Sequence, residues 1–441
     1  MITIDNHPIR KLRARRQRHR RRQGYVYIVV IMTAIIVSAL AMSSVWIARK
    51  HSLEQTAADE AYELASAADS AIELALARIA ADANWRTTHV HNTEYGPFAL
   101  GDVSLYYRLL DPSNDIGNGR LRDVTVIGIA KRGSASCAAQ VTATPAGEAL
   151  TFLNYAASVY GNIDMPYRTT WTTTGAVYSM GNIVLDYQSS ISGTAHAKNQ
   201  ITVNSGAYIR GTSATNQPTI SVGNQSLIER YIAEATSISV SSLPISSGRR
   251  KFTNCLLSPN HNPFGTELNP KGVYEINLNG ANLDISNCRI LGTLILRNLG
   301  SDCRIWTNVL AQPAVTNYPS LYVDGDIEFE SRWGNFTEAD IGVNLNPTGA
   351  PYQGQTNSTQ TDIYPARIEG IYYCRGETEF NANAQVDVQG VFYSISLLAS
   401  QTQTSLRVTY NSDIAANPPP GFRQDTIMRP VQGTYRRIAT P

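Results

Sequence analysis

At 441 residues, with 43% hydrophobic and 16% charged side chains, the chain is long enough for two folding units and too apolar to be disordered throughout. Its formal charge is +2, but nine Lys and Arg between Arg10 and Arg22, against the single acid Asp5, put +8 on the first 24 residues. The remainder carries 28 basic against 34 acidic side chains, or −6, which excludes nucleic acid held by bulk positive charge as its partner.

The basic leader, 1–24, runs directly into an uncharged stretch, 25–48. Two dozen helical residues reach roughly 35 Å, enough to cross the hydrocarbon core of a bilayer. The leader should stay cytoplasmic, which places everything after the span outside. Apolar or small residues continue at Leu53, Ala57, Ala61, Leu64, Ala68, Ile72, Leu76 and Ile79, in steps of three and four, and no Gly or Pro occurs from Tyr25 to Arg86. This predicts one long helix, with a transmembrane half at 25–48 and an amphipathic half at 49–86. The stripe packs either against its own domain or against other subunits. A secretory signal peptide is the rival reading, since Ala39-Leu40-Ala41 would release a chain starting near Met42.

The run Arg22-Gln23-Gly24-Tyr25-Val26-Tyr27, then Arg49-Lys50-His51-Ser52-Leu53-Glu54-Gln55 and the Ala-rich stretch 57–83, resembles the N-terminus of type IV pilin-like proteins, nearest to PilX and GspK-like minor pilins. The resemblance implies a prepilin peptidase cut after Gly24, leaving Tyr25 first, and partners that are other pilin-like subunits or further copies. Two positions depart from it: Tyr25 stands where Phe or Met is usual, and Val29 where the fifth residue is usually Glu. Without that acid nothing neutralises a neighbour's terminal amine in lipid, which points to a minor or tip subunit.

After the helix, alternation predicts strands at 103–110, 121–131 and 136–144, with turns at 111–115 and 117–119, so 87–147 reads as a small antiparallel sheet. His89 and His91 would share a strand face, but with no third ligand nearby they read as an isolated, exposed pair rather than a metal site. A linker, 148–170, follows.

From 171 to 412 the sequence repeats. Gly175, Gly193 and Gly211 are spaced by 18, and at that offset Ile183 falls on Ile201, Leu185 on Val203 and Ile191 on Ile209. At an offset of 20, Gly272 falls on Gly292, Tyr274 on Leu294, Ile276 on Leu296, Gly280 on Gly300, Leu283 on Cys303, Ile285 on Ile305 and Ile290 on Leu310. The same offset carries Gly370-Ile371-Tyr372-Tyr373 onto Gly390-Val391-Phe392-Tyr393, and Val386 and Val388 onto Leu406 and Val408. Short alternating strands returning at a constant offset, with Gly and Asn at the corners, predict a right-handed parallel β-helix. A β-sandwich would not explain the offset. The expected fold class is therefore an α+β N-terminal part followed by an all-β right-handed parallel β-helix. Insertions are expected near 225–271 (helix or loop) and 344–361 (flexible loop), and a Pro-rich tail at 413–441. The repeats, with Val408-Thr409-Tyr410 and Pro418-Pro419-Pro420-Gly421-Phe422 closing them, loosely resemble bactofilin-like coils and the β-helical ectodomains carried by PilX-like anchors.

Two rows of residues are the candidates for chemistry. Asp324, Asp326, Glu328 and Glu330, continued by Arg332, would line one strand face as a cation or polar ligand surface, the arrangement β-helical polysaccharide lyases and glycosidases use. Tyr372, Tyr373, Phe392 and Tyr393 would put one ring of each adjacent pair outward, to stack on sugar. No G-x-S-x-G, P-loop, H-E-x-x-H or C-x-x-C occurs. Five cysteines, Cys137, Cys255, Cys288, Cys303 and Cys374, leave at least one unpaired. The expectation is a single-pass, exported structural protein without cofactor or metal, not an enzyme, used for adhesion or scaffolding. The alternatives are a polysaccharide-binding module or, behind it, a β-helical carbohydrate-active enzyme.

Overall fold

The computed structural model describes residues 8–82, 84–112, 114, 116–117, 123–223, 225–330, 334–398, 403–424 and 427–440, with side chains from residue 25 onward except at 225, 226 and 398. Helix α1 runs unbroken over Pro8–Ala81, 74 residues, or about 110 Å. Every residue from 25 to 63 is exposed. From Leu64 on, the stripe of Leu64, Ala67, Ala68, Ala71, Ile72, Ala75, Leu76 and Ile79 is buried. It packs on an antiparallel sheet of β1 (Tyr95–Leu100), β2 (Val103–Leu110), β3 (Val124–Arg132) and β4 (Ala135–Pro145). The lower stripe thus covers its own domain, while Leu53, Ala57 and Ala61 remain open. Gly128 on β3 makes the approach possible, because a Cβ there would collide with the Ala68 carbonyl and the Ile72 side chain.

The helix ends sooner than 86: α1 stops at Ala81 and a separate turn, α2 (Trp85–Thr88), follows. The third strand starts at Val124, and Leu121, Asn118 and Gly119 lie outside the described residues. The C-terminal segment is no free tail. Met428–Pro430 and Arg436–Ile438 both pair antiparallel with β4. Arg437 and Tyr435 then reach across to Asp69 on α1, at 2.8 and 2.6 Å.

The remaining strands form one 22-stranded sheet, paired almost entirely in parallel. Ala157–Val159 pairs with Val177–Ser179, that with Ala195–Ala197, and that with Ser213–Ala214. The ladder therefore begins at Ala157, inside the expected linker. The chain then leaves the ladder, forms α3 (Gln225–Glu234) and re-enters at Thr236–Ile238. From there the rungs run Thr236–Ile238, Val273–Asn277, Thr293–Arg297, Pro319–Asp324, Arg367–Phe380 and Gln385–Leu398. Only α3 and loops interrupt the ladder within 225–271, since Thr236–Ile238 and Arg249–Leu257 are rungs.

The last rung closes on the first, with Phe392 opposite Ala157, Tyr393 opposite Ser158 and Ser405 opposite Thr170. The stack thus starts and finishes in its middle. At one of its ends the antiparallel strand Ile245–Ser246 pairs with Arg249 and Arg250. At the other, Ile201–Val203, Tyr208–Ile209 and Ser213–Ala214 pair on one side only.

Apolar side chains from successive rungs fill the interior, among them Ile183, Leu185, Ile191, Ile276, Ile285, Leu296, Val388 and Val408. The expected matches at 183/201, 185/203, 191/209, 274/294, 276/296, 285/305, 371/391, 386/406 and 388/408 are all register pairs. Ile290 lies opposite Ala311, not Leu310, because a bulge intervenes. The interval 344–361 is anchored at Leu345 and Ala350, which are buried with Leu256, Leu310, Phe336 and Tyr364, while most of 351–361 is exposed. All five cysteines are unpaired; Cys255 and Cys288 face each other in adjacent interior rungs.

Candidate functional site

The first candidate is the open part of α1. Tyr25 is 71% exposed, and so are the apolar side chains through Ile47. The helix, from Tyr25 on, is long and apolar enough to cross a membrane. The side chains of the basic leader lie outside the described residues, and Gly24 sits within the helix with no break at the expected cleavage point. The first acid after Tyr25, Glu54, is exposed and lies 3.8 Å from Lys50.

The acidic row does not form a single face. Pro319–Asp324 ends at Asp324, Gly325 turns the chain at φ 152, and a new strand, Ile327–Phe329, begins beyond it. Each carboxylate has its own neighbour. Asp324 lies 3.4 Å from Arg375, and Asp326 accepts the Glu377 N–H at 2.7 Å. Glu330 lies 3.0 Å from Arg304 and accepts from Asn381 at 3.0 Å. Glu328 stacks in register on Glu379, and burial first, then Glu330 and Glu379, push its carboxyl above the usual range. Arg332 lies outside the described residues. Among the described residues no group of three or more His, Cys, Asp or Glu is placed to hold a metal. His89 and His91 are half-buried rather than exposed and are separately engaged: His89 lies 2.9 Å from the Tyr107 hydroxyl, and His91 accepts the Asp111 N–H at 3.0 Å.

The aromatic row is also corrected. Tyr372 and Phe392 point inward and stack at 4.9 Å, as alternation requires. Tyr373 and Tyr393 do point away from the interior, stacked at 4.5 Å. They are nevertheless buried, under Phe152, Leu227 of α3 and Phe422. No ring of the four is available to a sugar.

A site missed by sequence reasoning lies on the outer face of Arg304–Gln312. Ile285 pairs with Ile305, but Ser286 pairs with Thr307, so Trp306 is the extra residue of a β-bulge. Its indole is 47% exposed, with the Arg304 guanidinium 5.0 Å from the ring centroid. Beside it is a hollow of about 670 Å³ lined by Trp306, Thr307, Asn308, Glu330, Asn381 and Ala382. Arg304 is itself held by Asp284, whose buried carboxylate also takes Lys251 and Arg249. Burial alone would raise the Asp284 carboxyl, but hydrogen bonds from Arg304 and Lys251 outweigh it and hold it below the usual range. The readable trace of the site is the offset, which is 20 at Ile305 and 21 at Ala311, with a tryptophan in the gap.

No family model matches the chain, and no curated protein matches it. Among solved structures it is similar to the competence-associated pilin ComZ from Thermus thermophilus, at TM-score 0.31 and 9% identity over 86% of this chain and 96% of that one. An ice-binding protein from an Antarctic biological consortium gives TM-score 0.23 and 9% identity over 60% and 92%. The ice-binding protein of the Antarctic ascomycete Antarctomyces psychrotrophicus gives 0.19 and 10% over 59% and 94%. Similarity at this level carries no conclusion about fold or role.

Proposed function

We propose that this chain is an exported, membrane-anchored structural protein of pilin-like type, inserted and assembled through the first half of α1, with its ladder held outside as a scaffold or adhesive element. The observation that carries this reading is the division of α1: residues 25–63 are exposed on every side, whereas the stripe from Leu64 is covered by the chain's own sheet. An apolar helix face left uncovered needs lipid or a neighbouring helix. Other pilin-like subunits, or further copies, are the partners this face suits, and Gly24 with Tyr25 is the bond a prepilin peptidase would cut. The ladder is read as a right-handed parallel β-helix. Parallel registers, several of them returning after 18 to 21 residues, support this, and the handedness follows the rule for parallel crossovers. No catalysis is proposed.

The test is the mature N-terminus, read by mass spectrometry on protein purified from its native membrane. A chain starting at Tyr25 supports pilin-type processing and assembly. A start near Met42 overturns the anchor and leaves a secreted protein, and an intact leader leaves a membrane-anchored ectodomain with no pilus role. A second reading, a polysaccharide-binding module, is favoured by the exposed Trp306 at the bulge.

A further inference from the structure

We propose that Trp306, Glu330 and Asn381 form a binding subsite for an uncharged hexopyranose unit of a polysaccharide. This rests on the second reading above and gives it a place and a ligand class.

The argument starts from the bulge. A regular strand would alternate Ile305 inward and Trp306 outward and then continue in register; the extra residue instead shifts the pairing by one and re-aims the side chain at that point. The re-aimed side chain is an indole about half exposed, a large apolar surface placed where burial was free to be chosen. Arg304, 5.0 Å from the ring centroid, is a planar group on the ring that limits its rotation, and it is fixed in turn by Asp284 and Glu330. The indole is therefore held rather than swinging in solvent.

The hollow beside it supplies the polar half. Glu330 contributes its carboxylate and Asn381 its amide to the lining, the two joined by a 3.0 Å hydrogen bond that Asn381 donates. Asn308 and Thr307 contribute further amide and hydroxyl groups, both anchored on Asn287, at 3.4 and 3.1 Å. A pyranose has the complementary form, a face of C–H groups rimmed by hydroxyls that each donate and accept. Apolar plate and polar rim together match it, as small-ligand sites generally combine apolar lining with a few placed polar groups.

Charge selects among sugars. Around the hollow, the cations Arg304, Lys251 and Arg249 are met by Asp284, Asp302 and Glu330, and Glu328, in register with Arg304, adds further negative charge. A uronate or sulfate would enter a negative field in a partly desolvated site, so the subsite takes neutral sugar and rejects anionic sugar.

The experiment uses the full chain purified in detergent micelles and affinity electrophoresis in gels containing laminarin, dextran, galactomannan or alginate. Retardation is expected with at least one of the three neutral polymers and not with alginate. Trp306→Ala should weaken that binding about tenfold or more, the loss of a stacked aromatic face, and Trp306→Phe by only about two- to threefold. Asn381→Ala should fall between them. Unchanged thermal unfolding of these variants keeps the result on the site. If a neutral polymer retards wild type and Trp306→Ala equally, the subsite is wrong and the binding-module reading stands. If wild type is retarded by none, both fall. Retardation by alginate overturns the charge argument.

Discussion

The interval 344–361 offers a sharp test of how buried polar groups hold this protein together. Arg289 projects from the ladder and is 1% exposed. Its guanidinium donates to the carbonyls of Leu345, Ala350 and Pro351 at 2.7, 2.8 and 2.6 Å, and to the Gln312 side chain at 3.2 Å. Burial pulls its pKa below the usual Arg range, yet a guanidinium stays protonated at neutral pH. In Arg289→Met the stem volume is kept and the three carbonyls lose their donor. At about 1–3 kcal/mol for each unsatisfied buried group, the gross cost is about 3–9 kcal/mol. Releasing the guanidinium's own desolvation returns part of it, so the net loss should be about 3–5 kcal/mol. Arg289→Lys should recover little, since an ammonium cannot match the planar fork. The assay is urea unfolding of each variant, with limited proteolysis under native conditions to locate the first opened segment. Cleavage within 344–361 should precede loss of the ladder. Arg289→Met within about 0.5 kcal/mol of wild type, or an interval as protected as before, would refute the reasoning.

Three further outcomes follow from other contacts. Asp284→Asn should destabilise at neutral pH by about 3 kcal/mol, because Lys251, Arg249 and Arg304 lose their common anion. The Asp284 carboxyl is held below its unfolded value near 3.9, so its contribution is complete above about pH 5 and disappears as pH falls through the folded pKa. The deficit of the variant, measured by thermal unfolding, should shrink below about pH 4 and persist unchanged above 5. Glu328→Gln should stabilise by about 0.2–1 kcal/mol at pH 7, because a partly buried carboxylate beside Glu330 and Glu379 is neutralised. Glu328 has a raised folded pKa, so that gain should be absent at low pH and appear as pH rises through it; a loss of stability at pH 7 would contradict this. Gly128→Ala should cost about 1–3 kcal/mol by forcing α1 away from β3, and should release Tyr435 and Arg437 from Asp69, visible as faster hydrogen exchange in 434–440.

Much of the ladder is legible because its information is local and periodic: an apolar residue at Ile183 and another at Ile201 are enough to place two rungs. What defeats the reading is non-periodic. The bulge at Trp306 moves Ile290 from Leu310 to Ala311, a slip that fixed-offset matching does not admit. The acidic row fails at Gly325, where a turn replaces the assumed strand. One ring of each adjacent pair does point outward, Tyr373 and Tyr393, but the cover over them comes from Phe152, Leu227 and Phe422, which no repeat connects to them. In the same way the strands at 428–430 and 436–438 find their partner in β4, and nothing in a Pro-rich segment names so distant an edge. In α1 the uniform spacing of Leu53 to Ile79 hides the change at Leu64 from open helix to covered helix, which is set by where the sheet begins.

The meeting of the last rung with the first bears on how the protein is made. Ala157 must wait for Phe392, 235 positions later in the chain, before one of its edges is occupied. A chain made from its N-terminus therefore passes through two unfinished stacks, each with a row of unpaired amides and carbonyls along one edge. The residues that join them, and those that complete the sheet beneath α1, are among the last to emerge. Until the join is made, those rows are open templates for pairing with another chain. A nascent chain halted before residue 385 would be an aggregating species, so release of the C-terminus is the event that turns a hazardous intermediate into a durable one.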